Sequence, residues 1–364
     1  MTLIYFAVVL SVIVFVHELG HFLAARLTGV RVEVFSIGFG KRLFGWHHGD
    51  TDYRVSIFPL GGYVRMAGII DESESLPFSE GVGLTGAAWE FMSKSWWQKI
   101  FILAAGGVMN FLLAWFILAV LITSSGVSEL DNIPVIGGIY PGKPAALAGL
   151  MAGDRVLRLD DTSLNSWDDL RDGIQSRPDE PIILTIERAG AVFTDTLTAV
   201  PERILIDGQL QEVGLIGIAP TLVQREAGPI ESFILAGGQS FDLLRLSISQ
   251  LLILIRGEAS LGDLGGPIFI AQLSGEAARS GMASFFSFIA IISLHIGFLN
   301  LLPLPVLDGG HIVITSLEAL IRRPLPLTLK LRIQQVGLVL LLFLMLIALR
   351  NDLMRIGLFG AGGN

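Results

Sequence analysis

"FVHELGHFLAARL", residues 15–27, sets two histidines and a glutamate inside a stretch that otherwise reads as membrane. From Leu3 to Ala25 nearly every residue is apolar, and His17, Glu18 and His21 interrupt the run. A charged side chain at the bilayer centre costs about 3 kcal/mol or more, so such groups are rare unless paired or metal-bound. On a helix, residues four apart face the same way, which stacks the two imidazoles one turn apart with Glu18 at the border of their face. H-E-x-x-H on a helix is the pattern of a zinc site, with two imidazole ligands and a glutamate as general base. A chance match in a chain of this length is roughly a one-in-a-hundred event at average residue usage.

Catalytic zinc usually takes three protein ligands and keeps a fourth position open. The third must come from elsewhere at the same depth, and "HIGFLNLLPLPVLDGGH", residues 295–311, offers it. Pro303 and Pro305 stop a regular helix there, and broken helices are tolerated in membranes where the backbone is buried in protein or lines a wet cavity. Asp308 follows the break directly. An aspartate opening "LDGGHIVITSLEAL" also suits a helix cap, but beside an incomplete zinc site ligation is the expectation. Asn300 either donates to a developing oxyanion or caps carbonyls freed by the prolines. His311 reads as a structural or supporting group, His295 as a satisfied polar residue, and His47 and His48 as a solvated turn. Asn110, after "AAGGVM" in a later apolar stretch, reads as packing glue between helices.

The whole chain fits this opening. It has 364 residues, 52% hydrophobic and only 16% charged, against about 25% charged in ordinary soluble proteins. The formal charge of −8 argues against nucleic acid as a partner, which would call for a basic face. With no cysteine, thiol nucleophiles, Cys-ligated zinc and disulfides are excluded. The N-terminus lacks the basic region and cleavage site of a signal peptide and is expected to be retained.

Three further stretches match roughly 30 Å of hydrocarbon: Ile100–Ile122, Ala283–Leu302, and Val336–Leu349 with flanks beginning nearer Leu331. Arg26, Arg31, Lys41, Arg42, Lys94 and Lys99 lie between spans one and two, and Arg322, Arg323, Lys330 and Arg332 between three and four. By the positive-inside rule these connections are cytoplasmic and both termini outside, although Arg350 and Arg355 run against it. Alternation in Val32–Ile37 and Tyr53–Phe58, bounded by glycines, predicts short β-strands packed at the membrane face. Asp71–Glu80 reads as a solvated acidic loop.

From about Ser125 the composition becomes that of a soluble domain. Strands are expected at Val135–Ile139, Arg155–Leu159, Ile182–Glu187 and Thr194–Ala199, with a helix over Ser166–Ser176 capped by Ser166. Glu231–Ile255, apolar but carrying Gln239, Asp242, Arg245 and Gln250, suits an amphipathic interfacial helix better than a span. The expected fold is a polytopic α-helical membrane protein of about four transmembrane helices, with a membrane-associated β-hairpin or sheet and an inserted α+β domain. The divisions are 1–124 for the first membrane half (sheet 31–67), 125–223 for the inserted domain, 224–282 for the amphipathic helix and linker, and 283–364 for the second half.

HELGH in a first span, "LGGYV" at 60–64, "GGVMNF" at 106–111 and "NLLPLPVLDGG" at 300–310 together resemble the site-2 protease family of intramembrane zinc metalloproteases, closest to its bacterial RseP-like branch. The insert resembles a PDZ domain of periplasmic proteases through "GGIYPGKPAALAGLMAGDRVL", Gly137–Leu157. The resemblance runs through nearly the whole chain in order. It implies one Zn2+ per chain on His17, His21 and Asp308, Glu18 as the catalytic glutamate, and the family's active-site asparagine at Asn300. It further implies a multi-pass protein of the bacterial inner membrane, with the active site towards the cytoplasm and the PDZ domain in the periplasm. Implied substrates are single-span membrane proteins, such as anti-sigma factors already trimmed outside or remnant signal peptides, whose outer regions the PDZ domain contacts. The departure is that enteric members of the branch carry two PDZ domains, while this insert has room for one.

A helical substrate must unwind before cleavage, and its freed N–H and C=O groups then need partners in the membrane. An exposed strand edge supplies them by β-strand addition. Gly61, Gly62, Tyr63, Val64 and Arg65 are the expected substrate-binding edge. Two readings from other classes fit less well. An idle scaffold would not need an intact HExxH with Asp308, and a metal transporter would want internal repeats.

Overall fold

The structure, a computed structural model, describes residues 1–68, 85–206, 209–258, 262 and 265–357. The acidic stretch Asp71–Glu80 lies outside the described residues. The chain forms two units, one of residues 1–121 with 233–364 and one of residues 122–232.

Helix α1 spans Thr2–Leu27 and buries Val9, Ile13, His17, Gly20, His21, Ala24 and Ala25. The three-and-four spacing makes one stripe, so the histidines lie on the same face that packs against protein. Thr28 closes the helix by donating from both its N–H and its hydroxyl to Ala24 O. The chain then enters β1 (Val32–His48) and β2 (Thr51–Met66), two long antiparallel strands rather than the short ones expected. Both bend midway, β1 where Gly38 and Gly40 adopt φ of 89° and β2 at Gly61, φ 152°, conformations in which other residues are strained. The register therefore jumps: Val34–Ile37 pair on one side with Asp52–Val55 and on the other with Gly62–Arg65, while 42–48 pair with 51–56. The result is a four-segment sheet in the order 42–48, 51–56, 32–37, 62–66, and among the described residues the 62–66 segment is an edge. Phe35 packs edge-on against Phe15 and Phe22 of α1. The other half exposes Phe39, Leu43, Phe44, Trp46 and Phe58.

Helix α2 (Trp96–Ser125) leads into the second unit. There β3 (Val127–Leu130) pairs with β12 (Leu222–Arg225), so the chain arrives and leaves side by side, the arrangement that lets a domain be inserted in a chain. Between them run β4 (Ile136–Ile139), α3 (Pro144–Leu147), β5 (Arg155–Leu159), β6 (Thr162–Ser163), α4 (Trp167–Gln175), β7 (Pro181–Arg188), β8 (Ala191–Thr198), β9 (Val200–Ile206), β10 (Gln209–Leu215) and β11 (Ile218–Pro220). Ser166 caps α4 in a reciprocal box with Asp169. The main sheet has the order β6-β5-β7-β8. Alternation on β7 buries Ile182, Leu184 and Ile186 against Val156, Leu170 and Ile136.

Five helices follow: α5 (Pro229–Ile255), α6 (Pro267–Ser280), α7 (Met282–Asn300), α8 (Asp308–Ile321) and α9 (Leu327–Arg355). Within the first unit, α5 reaches α2 through Trp115 Nε1 donating to Phe233 O, and α7 through Ser247 and His295 at 3.2 Å. Helix α6 was not anticipated. Its N-terminus is held by Asp352 of α9, which accepts from the Gly266, Ile268 and Phe269 N–H groups. Helices α1, α2, α7 and α9 are long and apolar enough to cross a membrane, with 26, 30, 19 and 29 residues. Glycines let three of them approach closely. A Cβ on Gly20 would lie 2.4 Å from Ala105 O, and one on Gly297 would lie 2.9 Å from Gly107 O.

Among the described residues the inserted unit contains one buried acid. Asp154, 1% exposed, accepts from Arg188 Nε and Nη2 and from the Met151 N–H. The Arg188 hydrogen bonds hold its pKa below the ordinary 3.8. A depressed folded pKa means that the stabilisation is complete above the unfolded value and is lost as pH falls through the folded one. Arg188→Leu should therefore raise amide exchange in β5 and β7 of the intact protein at pH 7, roughly tenfold or more, while the wild type reaches that state only below about pH 4. Unchanged exchange in the variant would assign the stability of this unit to its apolar core alone.

Candidate metal centre

His17 and His21 come from the buried stripe of α1, and Asp308 opens α8. The two Nε2 atoms are 3.1 Å apart, and Asp308 Oδ2 lies 3.2 Å from His17 Nε2 and 3.4 Å from His21 Nε2. In a tetrahedral site with bonds of about 2.0 Å, ligand atoms lie about 3.3 Å from one another. The observed triangle has that size.

Two observations show that the donor set fits zinc. Asp308 Oδ2 is buried and faces only the two imidazole Nε2 atoms, and a buried carboxylate requires a compensating charge. Beneath the triangle, a Cβ on Gly106 would lie 2.4 Å from His21 Nε2 and 2.7 Å from His17 Nε2, so glycine alone leaves the Nε2 atoms room. Among the described residues no other group of three histidines or acids converges in this way.

Asp308 does not serve as the helix cap. The N-cap position of α8 is Leu307, and no side chain caps it. The break itself is tight: a Cβ at Gly309 would lie 2.2 Å from Leu302 O, and one at Gly310 2.1 Å from Leu304 O. The glycines after Asp308 thus let the proline loop fold over the first turn of α8.

Glu18 is half-buried and faces the sheet edge. Its carboxylate accepts from the Val64 backbone N–H, and a Cβ on Gly62 would come within 3.3 Å of its Cγ. Around this edge, Phe39 stacks on Tyr63 and covers Gly61, and Arg65 Nε lies 3.3 Å from Glu33. Asn300 is the half-buried last residue of α7 and is not part of the triangle. His47 lies 3.6 Å from Asp52 on the hairpin, His48 is exposed beside it, and His295 bonds Ser247 and Ile291 O. His311 sits on the first turn of α8.

Sequence reasoning missed the role of α2. Asn110, fully buried, places its amide 3.3 Å from His17 Nδ1, and Ile102 O lies 2.8 Å from His21 Nδ1. Asn110 therefore does more than join helices. The available signal was that it is the one carboxamide in span two and lies four residues after Gly106.

A bundle of membrane-length helices enclosing H-E-x-x-H and a distant aspartate defines a membrane zinc metalloprotease. The sequence model of Peptidase family M50 matches residues 5–344, and the chain belongs to this family. It is 37% identical over 360 residues to a Rhizobium meliloti (strain 1021) protein named as a zinc metalloprotease, covering 96% of this chain and 95% of that one. It is 35% identical over 383 residues to Metalloprotease MmpA of Caulobacter vibrioides, covering 96% and 95%. With Protease RseP of Yersinia pestis identity is 30% over 454 aligned positions, covering 96% and 98%. Among solved structures, the PDZ domain of an SdrC-like protein from Listeria innocua matches with 17% identity and a TM-score of 0.21, covering 27% of this chain and 100% of that one.

Gly106→Ala tests the space under the triangle. The added methyl should displace both imidazoles, abolishing stoichiometric zinc in the purified protein while the chain still inserts and resists protease. Full zinc content by metal analysis would show that the ligands do not depend on that gap.

Proposed function

We propose that the protein is an intramembrane endopeptidase that cuts single-span membrane proteins within or near the bilayer, with His17, His21 and Asp308 holding zinc and Glu18 as general base. The observation that carries this reading is the adjacency of three elements: the triangle of His17, His21 and Asp308, Glu18, and the sheet edge at 62–66. Bound zinc supplies a Lewis acid for the scissile carbonyl and makes water a nucleophile near neutral pH. Glu18 takes the proton from the attacking water and returns it to the leaving amine. Asn300, at the mouth of the α7–α8 break, is assigned to the developing oxyanion.

The substrate unwinds and adds as a strand to residues 61–65, where backbone N–H and C=O groups replace its lost helical partners. The Val64 N–H is held by Glu18, so occupancy of the edge and the position of the base are coupled. The substrates proposed are pre-trimmed anti-sigma-factor-like proteins and remnant signal peptides, with the active site towards the cytoplasm. The insert, 125–223, acts as a periplasmic PDZ domain contacting the outer region of the substrate, and 224–282 links it to the second membrane half, 283–364. This assignment follows the charge rule for the connections.

Glu18→Gln should keep wild-type zinc and lower cleavage of a model single-span substrate by roughly 10²- to 10⁴-fold. Turnover near wild type would remove Glu18 from the chemistry. Val64→Pro deletes the edge donor and should slow cleavage strongly at unchanged zinc content. Substrates with helix-breaking residues near the cut should be processed faster than Leu-rich ones. Equal rates for both substrates, together with full activity of Val64→Pro, would rule out addition at this edge.

A further inference from the structure

The two Nε2 atoms converge above Gly106, so the two Nδ1 atoms splay apart along α2. His21 Nδ1 meets the Ile102 carbonyl at 2.8 Å, and His17 Nδ1 meets the Asn110 amide at 3.3 Å. Ile102, Gly106 and Asn110 are each four residues apart, so one face of α2 presents a polar group, a gap and a second polar group.

A carbonyl only accepts. Ile102 O therefore fixes the proton of His21 on Nδ1 and leaves Nε2 with its lone pair for a metal. The same demand at His17 requires an acceptor opposite its Nδ1–H. A carboxamide offers one, its oxygen, and nitrogen and oxygen are interchangeable in shape, so hydrogen bonding decides which faces the ring. With the amide nitrogen towards His17, Asn110 Oδ1 is left buried without a donor, and the proton of His17 is forced onto Nε2, where the metal should be. Turning the amide gives that oxygen the Nδ1–H and frees Nε2.

We propose that Asn110 is a positioning residue: its side-chain oxygen accepts the Nδ1–H of His17, fixing the tautomer and ring orientation that direct Nε2 to zinc. The inference rests on His17 being a ligand. It goes beyond the ligand set by assigning span two the role of holding both imidazoles, His21 by backbone and His17 by side chain. Groups that orient ligand histidines in this way typically change metal affinity about 10- to 100-fold when removed.

The test uses the full-length protein in detergent, with zinc affinity measured by chelator competition and the visible absorption of the cobalt-substituted form recorded beside it. Asn110→Leu keeps similar bulk without an acceptor, and should weaken zinc roughly 10- to 100-fold and shift the cobalt bands. Asn110→Asp keeps an acceptor and should bind zinc at least as tightly as the wild type. Wild-type affinity and an unchanged cobalt spectrum in Asn110→Leu would overturn the proposal. So would equal weakening in Leu and Asp variants, which is the signature of packing alone. Should Asn110→Leu fail to fold, the Asp variant decides: weaker zinc than wild type overturns the assignment. A wild-type protein without stoichiometric zinc would instead overturn the metal-site reading itself.

Discussion

Two imidazoles and a carboxylate drawn to within 3.4 Å of one another, in a bundle of apolar helices, are the constraint on which the rest of the structure depends. Bare lone pairs do not gather at that distance in a low-dielectric surrounding unless a proton or a metal ion lies among them. The three groups come from α1 and α8, more than 280 residues apart in sequence, and α2 lies beneath them. Small residues meet that demand for close approach. Gly20 brings α1 onto the backbone of α2 at Ala105, Gly106 opens the space for the imidazole tips, and Gly107 with Gly297 brings α7 onto α2. Larger side chains at these crossings would move the helices apart by ångströms, and the ligand atoms with them.

Much of this was legible because the signals are local. The spacing of His17, Glu18 and His21 encodes a shared helix face, and the apolar runs encode the spans. Pro303 and Pro305 before Asp308 encode the break. What was not legible depends on tertiary contact or on backbone bending. The hairpin reads as short alternating strands because the sequence shows the period, but not that Gly38 and Gly40 in one strand and Gly61 in the other bend the two long strands into a four-segment sheet. Among the described residues strands β9 and β10 pair only with each other, and they carry mixed polar sequence, so their alternation is weak. Span four begins at Leu327, earlier than its apolar core suggests, and its first turn carries Lys330 paired with Glu318 of α8. Asn110 could be noticed but not placed, since its partner lies 93 residues away on α1.

The sheet and the metal centre are tied through α1. Gly62 sits against Val14 and Glu18, one turn apart on the helix, and the Val64 N–H reaches the Glu18 carboxylate. That fixes the depth of the 62–66 edge relative to the ligand histidines. In a strand the side-chain period is two, so a slip of one residue would turn every side chain to the opposite face and every N–H to the opposite edge. The 62–66 segment is pinned against such a slip on its inner side by 32–37 and at Gly61 by the Phe39 ring. Under the proposed mechanism this pinning gives the register of the substrate: a strand added to 62–66 inherits its phase from β2. The peptide bond presented beside Glu18 is then set by backbone geometry rather than by the identity of the side chains being cut. Such an edge recognises an unwound backbone, so selectivity must arise from which segments unwind and which reach it, not from a side-chain pocket at the zinc.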